Sequence, residues 1–144
     1  MKTNKAMAEL LLRTSPSGTI VDDEYTHFVE WNDSILISSF VRNLPMSLDK
    51  TYYSDRTECE ASINHLHLKN LSIALDIIYE WKKSLINKYP EKSFIIVVSC
   101  DVDGSEAVVR FYQLRTDEPL WLNENNPDNY KHEAVLFLKV SQEH

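Results

Sequence analysis

A chain of 144 residues is the length of one domain, long enough to bury a core without staples, and its 43% hydrophobic and 26% charged residues are an ordinary globular balance. The 22 acidic against 15 basic side chains leave a formal charge of −7, which argues against binding a phosphate backbone, a task that needs clustered Lys and Arg. Two glycines exclude a phosphate-cradling loop, and two well-separated cysteines, Cys59 and Cys100, exclude a CxxC zinc or redox motif.

Free thiols point to a reducing compartment, and a cytoplasmic protein is expected. The apolar patch from Ala6 to Leu12 is interrupted by Glu9 and lacks the long apolar region of a signal peptide. No run approaches the ~18 apolar residues of a membrane span.

Taken in chain order, "NKAMAELLLR" predicts a short helix with Met7, Leu10 and Leu11 on one face. "TSPSG", Thr14 to Gly18, ends it as a loop. Tyr25 to Trp31 alternates weakly and carries β-formers, so a strand is expected. In "NDSILISSFVRNL" the residues Leu36, Ile37, Phe40, Val41 and Leu44 recur at three and four, and Asp33 can cap a first turn. That spacing predicts a helix over 34–43, stopped before Pro45. The rival is a hairpin through Asn32-Asp33, with Ser34 to Val41 as its second strand. Met46 to Ser62 shows no clear period, and a loop this long in a compact domain usually hides an element or serves a purpose.

The stretch from Leu71 to Tyr89 carries the strongest pattern. Leu71, Ala74, Leu75, Ile78, Trp81, Leu85 and Tyr89 form one helical stripe, Asn70 caps it and Pro90 ends it. Trp81 on this stripe reads as core. Phe94 to Val98 is a continuous apolar run suited to a strand buried on both faces. Asp103-Gly104 offers a positive-φ turn into a second strand, with Val109, Phe111 and Gln113 on one side and Val108, Arg110 and Tyr112 on the other. Glu133 to Val140 reads as the last strand, and Asn126-Pro127 predicts one helical turn before it. The expectation is a single α+β domain over residues 1–144, an antiparallel sheet covered on one face by a long helix.

Few motifs carry chemistry. His65 and His67 in "HLHL" would point the same way on a strand and could both reach one metal, with Cys59, Glu58 and Glu60 nearby in sequence. The ordinary reading is two polar strand positions whose neighbours Leu66 and Leu68 face the core, and no metal or cofactor is expected. "DVDGSE" fails the calcium-loop pattern and is explained by turn chemistry. A GxSxG elbow and a GxxxxGK[ST] loop are both missing. Cys100 ends a buried-type strand, where a thiol behaves as a small hydrophobe. His27 with a distant carboxylate could form a dyad, as could any of five histidines.

The distribution of charge says more. No Lys or Arg occurs from Thr14 to Val41, a window holding Asp22, Asp23, Glu24, Glu30 and Asp33 beside Trp31. A second such window runs from Thr116 to Tyr130, with Asp117, Glu118, Glu124 and Asp128 beside Trp121. Acids around an aromatic suit capture of a basic protein surface, because charge speeds encounter and the ring anchors it. The ordinary alternative is a solvated acidic face with both indoles in the core.

The block from Leu71 to Val140, with its "EPLW…Y…EAVL" run, resembles small bacterial immunity proteins of polymorphic-toxin systems of the contact-dependent inhibition type. The resemblance implies a short, acidic, cytoplasmic α+β protein without catalytic activity that binds and occludes its own toxin. A basic nuclease domain is the expected partner class, with no nucleic acid or membrane bound directly. The partner-binding candidates are then Trp31, Asp33, Asp117, Glu118, Trp121, Glu124 and Asp128. Two other classes stay open: a small metal-dependent enzyme using His65 and His67, and a homo-oligomeric regulatory module joined through a sheet edge.

Overall fold

The computed structural model describes residues 1–41, 55–119, 122, 130 and 132–142. Elements follow in the order β1 (Lys2–Thr3), α1 (Lys5–Leu11), β2 (Phe28–Trp31), β3 (Ser34–Ile37), α2 (Arg56–Ile63), β4 (His65–Asn70), α3 (Leu71–Lys88), β5 (Phe94–Cys100), β6 (Ser105–Gln113) and β7 (Ala134–Val140). Short 3-10 turns at Asp23–Thr26 and Ser38–Phe40 flank the β2–β3 pair. A five-stranded sheet has the order β1-β7-β5-β6-β4 with every neighbour antiparallel, and β2 and β3 form a separate two-stranded sheet. The expected α+β architecture, with the long helix on one sheet face, is present. Among the described residues no helix is long and apolar enough to cross a membrane.

α3 forms where the apolar stripe demands it. The Asn70 side chain accepts from the Ile73 amide, and Leu71, Ala74, Ile77, Ile78, Trp81 and Leu85 are buried. Trp81 is fully enclosed, lies edge-on to Phe111 and donates its indole N–H to the Tyr25 carbonyl at 2.8 Å. α1 covers the same sheet face through Met7 and Leu10, capped by Asn4.

β5 is enclosed on both faces, as its unbroken apolar run predicts. Phe94, Ile96 and Val98 join the cluster under α1 and α3. Ile95 and Val97 join a second cluster with Tyr112, Val135, Phe137 and Ala61 of α2, and Leu114, Leu122 and Tyr130 pack against it. β6 alternates as expected, Val109 and Phe111 toward the first cluster and Tyr112 toward the second. The sheet is thus the middle of three layers.

Three expectations need correction. Residues 34–43 do not form a helix: Ser34–Ile37 is the second strand of the rival hairpin, and all four of its residues are buried. The turn decides it, because Asn32 and Asp33 both take positive φ, 50° and 63°, which Asn and Asp tolerate best among residues with a side chain. The first strand of that hairpin begins at Phe28, since Asp22 caps a 3-10 turn over Asp23–Thr26. The β5–β6 connection is a four-residue loop in which Gly104, at φ 89°, takes the left-handed position and Asp103 does not. The patternless region 46–62 contains most of α2; its residues 46–54, like the turn expected at Asn126-Pro127, lie outside the described residues.

α2 escapes a search for apolar periodicity because it buries a polar stripe, with only Cys59 and Ala61 as enclosed apolar residues. Thr57, Glu60 and Asn64 lie one above another and are 3%, 0% and 0% exposed. Glu60 accepts from the Ile35 amide (2.7 Å) on β3 and from the Gln113 amide (2.8 Å) on β6. Asn64 accepts from the Ile37 amide (2.9 Å) and donates to the Ile35 carbonyl (2.7 Å), while its own carbonyl accepts from the Phe111 amide (3.2 Å). Two side chains therefore occupy the place of a missing strand between β3 and β6.

The Arg115 guanidinium completes the Glu60 site at 2.6 Å, with side chains 7% and 0% exposed. Removing one partner of such a pair leaves a buried charge uncompensated, which costs about 3–5 kcal/mol. Glu60→Ala should lower unfolding stability by that amount in urea titration. Glu60→Gln, which keeps one of the two acceptor oxygens, should lose less. Equal losses would show that the hydrogen bonds Gln can keep contribute nothing beyond the charge pairing.

Candidate functional site

The first turn of α2 gathers residues from both acidic windows. Asp55 caps the helix, its carboxylate accepting from the Glu58 amide at 2.8 Å. Arg56 then projects beside the hairpin turn and the segment following β6. Its Nε donates to Glu118 at 2.6 Å, one terminal nitrogen to Asp117 at 2.5 Å, and the other stands 3.6 Å from Asp33. Thr57 adds its backbone amide (2.9 Å) and hydroxyl (2.7 Å) to the second oxygen of Glu118. The Asp33 carbonyl takes hydrogen bonds from Arg115 (2.9 Å) and Gln113 (3.0 Å), which fixes the hairpin tip against the end of β6.

Asp33, Asp117 and Glu118 are thus brought together, although they come from windows far apart in sequence. Counting Glu60, four carboxylates share the two guanidinium groups of Arg56 and Arg115, which leaves this corner negative. The three predicted acids differ in availability. The Asp33 and Asp117 side chains are 83% and 66% exposed, whereas Glu118 is 11% exposed and saturated with donors. Burial opposes ionisation of Glu118, but the hydrogen bonds from Arg56 and Thr57 outweigh it and hold its carboxyl at about 2. The Arg56 guanidinium is correspondingly stabilised as a cation, first by its bond to Glu118.

Trp31 ends β2, paired with Ser34 across the hairpin, and is half-buried. Glu30 beside it is exposed. Trp121, Glu124 and Asp128 lie outside the described residues. Arg56, Arg115 and Glu60, which organise the cluster, were not singled out by charge-window reasoning. A local signal for them exists: Asp55 followed three residues later by Glu58 is a helix-start signature, and it would have placed Arg56 in a first turn.

The other candidate chemistries gain little. His65 and His67 do share a side of β4, with ring centroids 5.2 Å apart, and His65 Nδ1 lies 2.8 Å from the Ser62 carbonyl. His65 sits directly opposite Arg110 on β6, a cation that opposes a metal ion there. Among the described residues no group of three or more His, Cys, Asp or Glu side chains could hold a metal. Burial pushes the thiols of Cys59 and Cys100 up to about 11, so both are protonated at neutral pH and poor nucleophiles.

The family model described as "Uncharacterized protein PM0498 family" matches residues 2–143. The chain belongs to that family. The match spans both acidic windows, α2 and the whole five-stranded sheet. Among curated proteins and solved structures, none matches this chain.

The Glu118 site has a pH signature. Its folded value of about 2 lies below the ordinary 4.5, so its contribution is complete above pH ~4.5 and disappears as pH falls toward 2. For so enclosed a carboxylate the linkage is on the order of 3 kcal/mol. Urea unfolding from pH 7 to 2 should show this decline, and Glu118→Gln should be less stable at pH 7 with a flatter profile below 4.5. A variant with the wild-type profile would show that Glu118 does not carry the acid response.

Proposed function

We propose that this chain is a cytoplasmic immunity protein that binds and neutralises a basic toxin domain without catalysis. The observation that carries the reading is the meeting of the two acidic windows at one corner, where Asp33 and Asp117 face outward and half-buried Trp31 precedes Asp33 by two residues on β2. A corner of this kind attracts a cationic surface over a Debye length of roughly 8–10 Å, and a neighbouring indole supplies apolar contact once the partner has arrived. Nuclease sites are basic because they hold phosphate, so a nuclease is the toxin class such a corner fits best. Trp121, Glu124 and Asp128 follow Asp117 in the same acidic window of the sequence and are candidates on that ground alone. The resemblance of residues 71–140 to immunity proteins supports the same reading.

The roles within the corner differ. Glu118 and Arg56 hold the segment after β6 onto α2, and Asp33 and Asp117 meet the partner. Steering by exposed charge acts mainly on association rate and fades with salt.

The test is binding to the toxin domain encoded beside this gene, followed by stopped-flow or biolayer interferometry. Saturable binding is expected, with Asp33→Lys plus Asp117→Lys slowing association at least tenfold at low salt, and with Trp121→Ala speeding dissociation. If the doubly reversed variant binds as fast as the wild type at every salt concentration, this surface is not the one used. If the wild-type chain neither binds nor protects against that protein, the immunity reading falls.

A further inference from the structure

α3 carries a second patterned face on the flank of the one it buries. The segment from Ser15 to Val21 crosses the helix near its N-terminus and is fastened there. Asp76 accepts from the Ser17 and Gly18 amides (3.1 and 3.2 Å) and from the Ser17 hydroxyl, and Ser72 donates its hydroxyl to the Ser15 carbonyl at 2.5 Å. Past this strap the flank of the helix is open. A hollow of about 490 Å³ lies there, walled by Val21, Leu75, Ile78 and Leu138. A second, of about 380 Å³, reaches along the helix to Ile86. Tyr79 and Lys82 line both, so the two hollows form one groove with these side chains at its middle. Tyr79 is 62% exposed, so an aromatic ring stands out beside an apolar hollow.

Leu75, Tyr79, Lys82 and Ile86 mark this flank, spaced four, three and four apart, which is the seam spacing of paired helices. Charge along the seam is segregated. Asp76 and Glu80 lie in the N-terminal half of the groove, and Lys82 and Lys83 in the C-terminal half. The donors from the strap to Asp76 are neutral and leave its charge at the rim, while Glu80 pairs with Lys83 at 3.2 Å. The two acids balance the two bases, so the groove selects neither an anion nor a cation. An exposed ring beside a hollow, with acids at one end and bases at the other, is complementary to the same surface turned end for end. That is the requirement of a two-fold interface, in which one patch meets itself.

We propose that the groove is filled by a second copy of this chain, with α3 packed antiparallel on α3 about a two-fold axis through the middle of the seam. Leu75 then meets the partner's Ile86, and Tyr79 meets the partner's Lys82, each ring gaining a cation–π contact. Asp76 comes beside the partner's Lys83, twice by symmetry. Parallel pairing would instead set each acid against its own copy, and like charges repel. A lysine within an otherwise apolar seam also fixes register. The interface does not depend on the acidic corner or on the immunity reading, since α3 and α2 pack on opposite faces of the sheet.

The test is sedimentation equilibrium of the full-length chain from low micromolar to near-millimolar concentration. A single helix pair lies at the small end of specific interfaces, below ~1,200 Å², so a reversible monomer–dimer equilibrium is expected. Tyr79→Glu, at an exposed position, should leave a monomer throughout. Lys83→Glu, which sets an acid beside the partner's Asp76, should weaken association about fivefold. After mild oxidation, an equimolar mixture of Leu75→Cys and Ile86→Cys chains should form the mixed disulfide in preference to either self-linked one. Cys59 and Cys100 are buried and do not compete. Thermal unfolding by circular dichroism checks that each variant remains folded. A wild-type chain that stays monomeric at every concentration would overturn the proposal and leave the groove to another occupant. So would a dimer that survives Tyr79→Glu, unchanged association in Lys83→Glu, or Leu75→Cys chains that link to themselves, because none of these uses the antiparallel seam.

Discussion

A carboxylate and a carboxamide on one helix hold the two sheets of this protein together. β3 and the end of β6 each present backbone amides along an edge, and among the described residues no strand lies between them to accept their hydrogen bonds. Glu60 and Asn64 supply those acceptors from α2, and Asn64 also supplies a donor. Buried backbone groups left unmade cost about 1–3 kcal/mol each, so the two side chains remove several penalties at once. They also forbid slippage, because a shift of one residue along β3 would turn the amides of Ile35 and Ile37 away from their acceptors. The buried negative charge this requires is matched by Arg115, itself positioned because β6 ends two residues earlier at Gln113. Register, helix placement and ion pair specify one another.

The candidate site follows from that constraint. Arg56 and Thr57 stand one turn before Glu60 on the same helix, so fixing Glu60 between the strand edges fixes where Arg56 can reach. It reaches the hairpin tip on one side and the segment after β6 on the other. The meeting of Asp33 with Asp117 and Glu118 is therefore a consequence of how α2 is anchored, not of attraction among acids, which repel. Arg56 offsets that repulsion, and the cluster keeps an excess of carboxylate only at its exposed edge.

Where burial is apolar, the residues announce their structure. The stripe on α3, the unbroken run of β5 and the alternation of β6 could each be read directly, because hydrophobic side chains repeat with the period of the backbone that carries them. The misreadings fall where that link fails. The helix expected over 34–43 rested on Leu36, Ile37, Phe40 and Val41, whose spacing at three and four arises when a strand enclosed on both faces runs straight into a 3-10 turn. Periodicity cannot separate the two, and only the tolerance of Asn32 and Asp33 for positive φ decides. α2 was hidden for the opposite reason: its inward stripe of Thr57, Glu60 and Asn64 is polar, and a buried polar stripe resembles a solvated one until its partners are known. The acidic windows were visible as composition, yet their convergence depends on Arg56, an isolated base in a segment without period.

The same dependence separates charge that builds the corner from charge that is free to meet another molecule. Glu118 and Asp117 are adjacent in sequence and share Arg56, but Glu118 is enclosed and holds α2 through Thr57 as well, while Asp117 pairs with the guanidinium and remains open to solvent. Reversing the enclosed charge would set a cation against Arg56 in a poorly solvated space and loosen the segment after β6. Any resulting loss of binding would report unfolding of the corner, with no bearing on its electrostatic attraction. Reversing Asp33 or Asp117 changes the outward field while leaving the Glu118–Arg56–Thr57 contact intact. Since an exposed pair contributes only ~0–1 kcal/mol to stability, those two positions are where recognition can be altered without altering the fold that presents it.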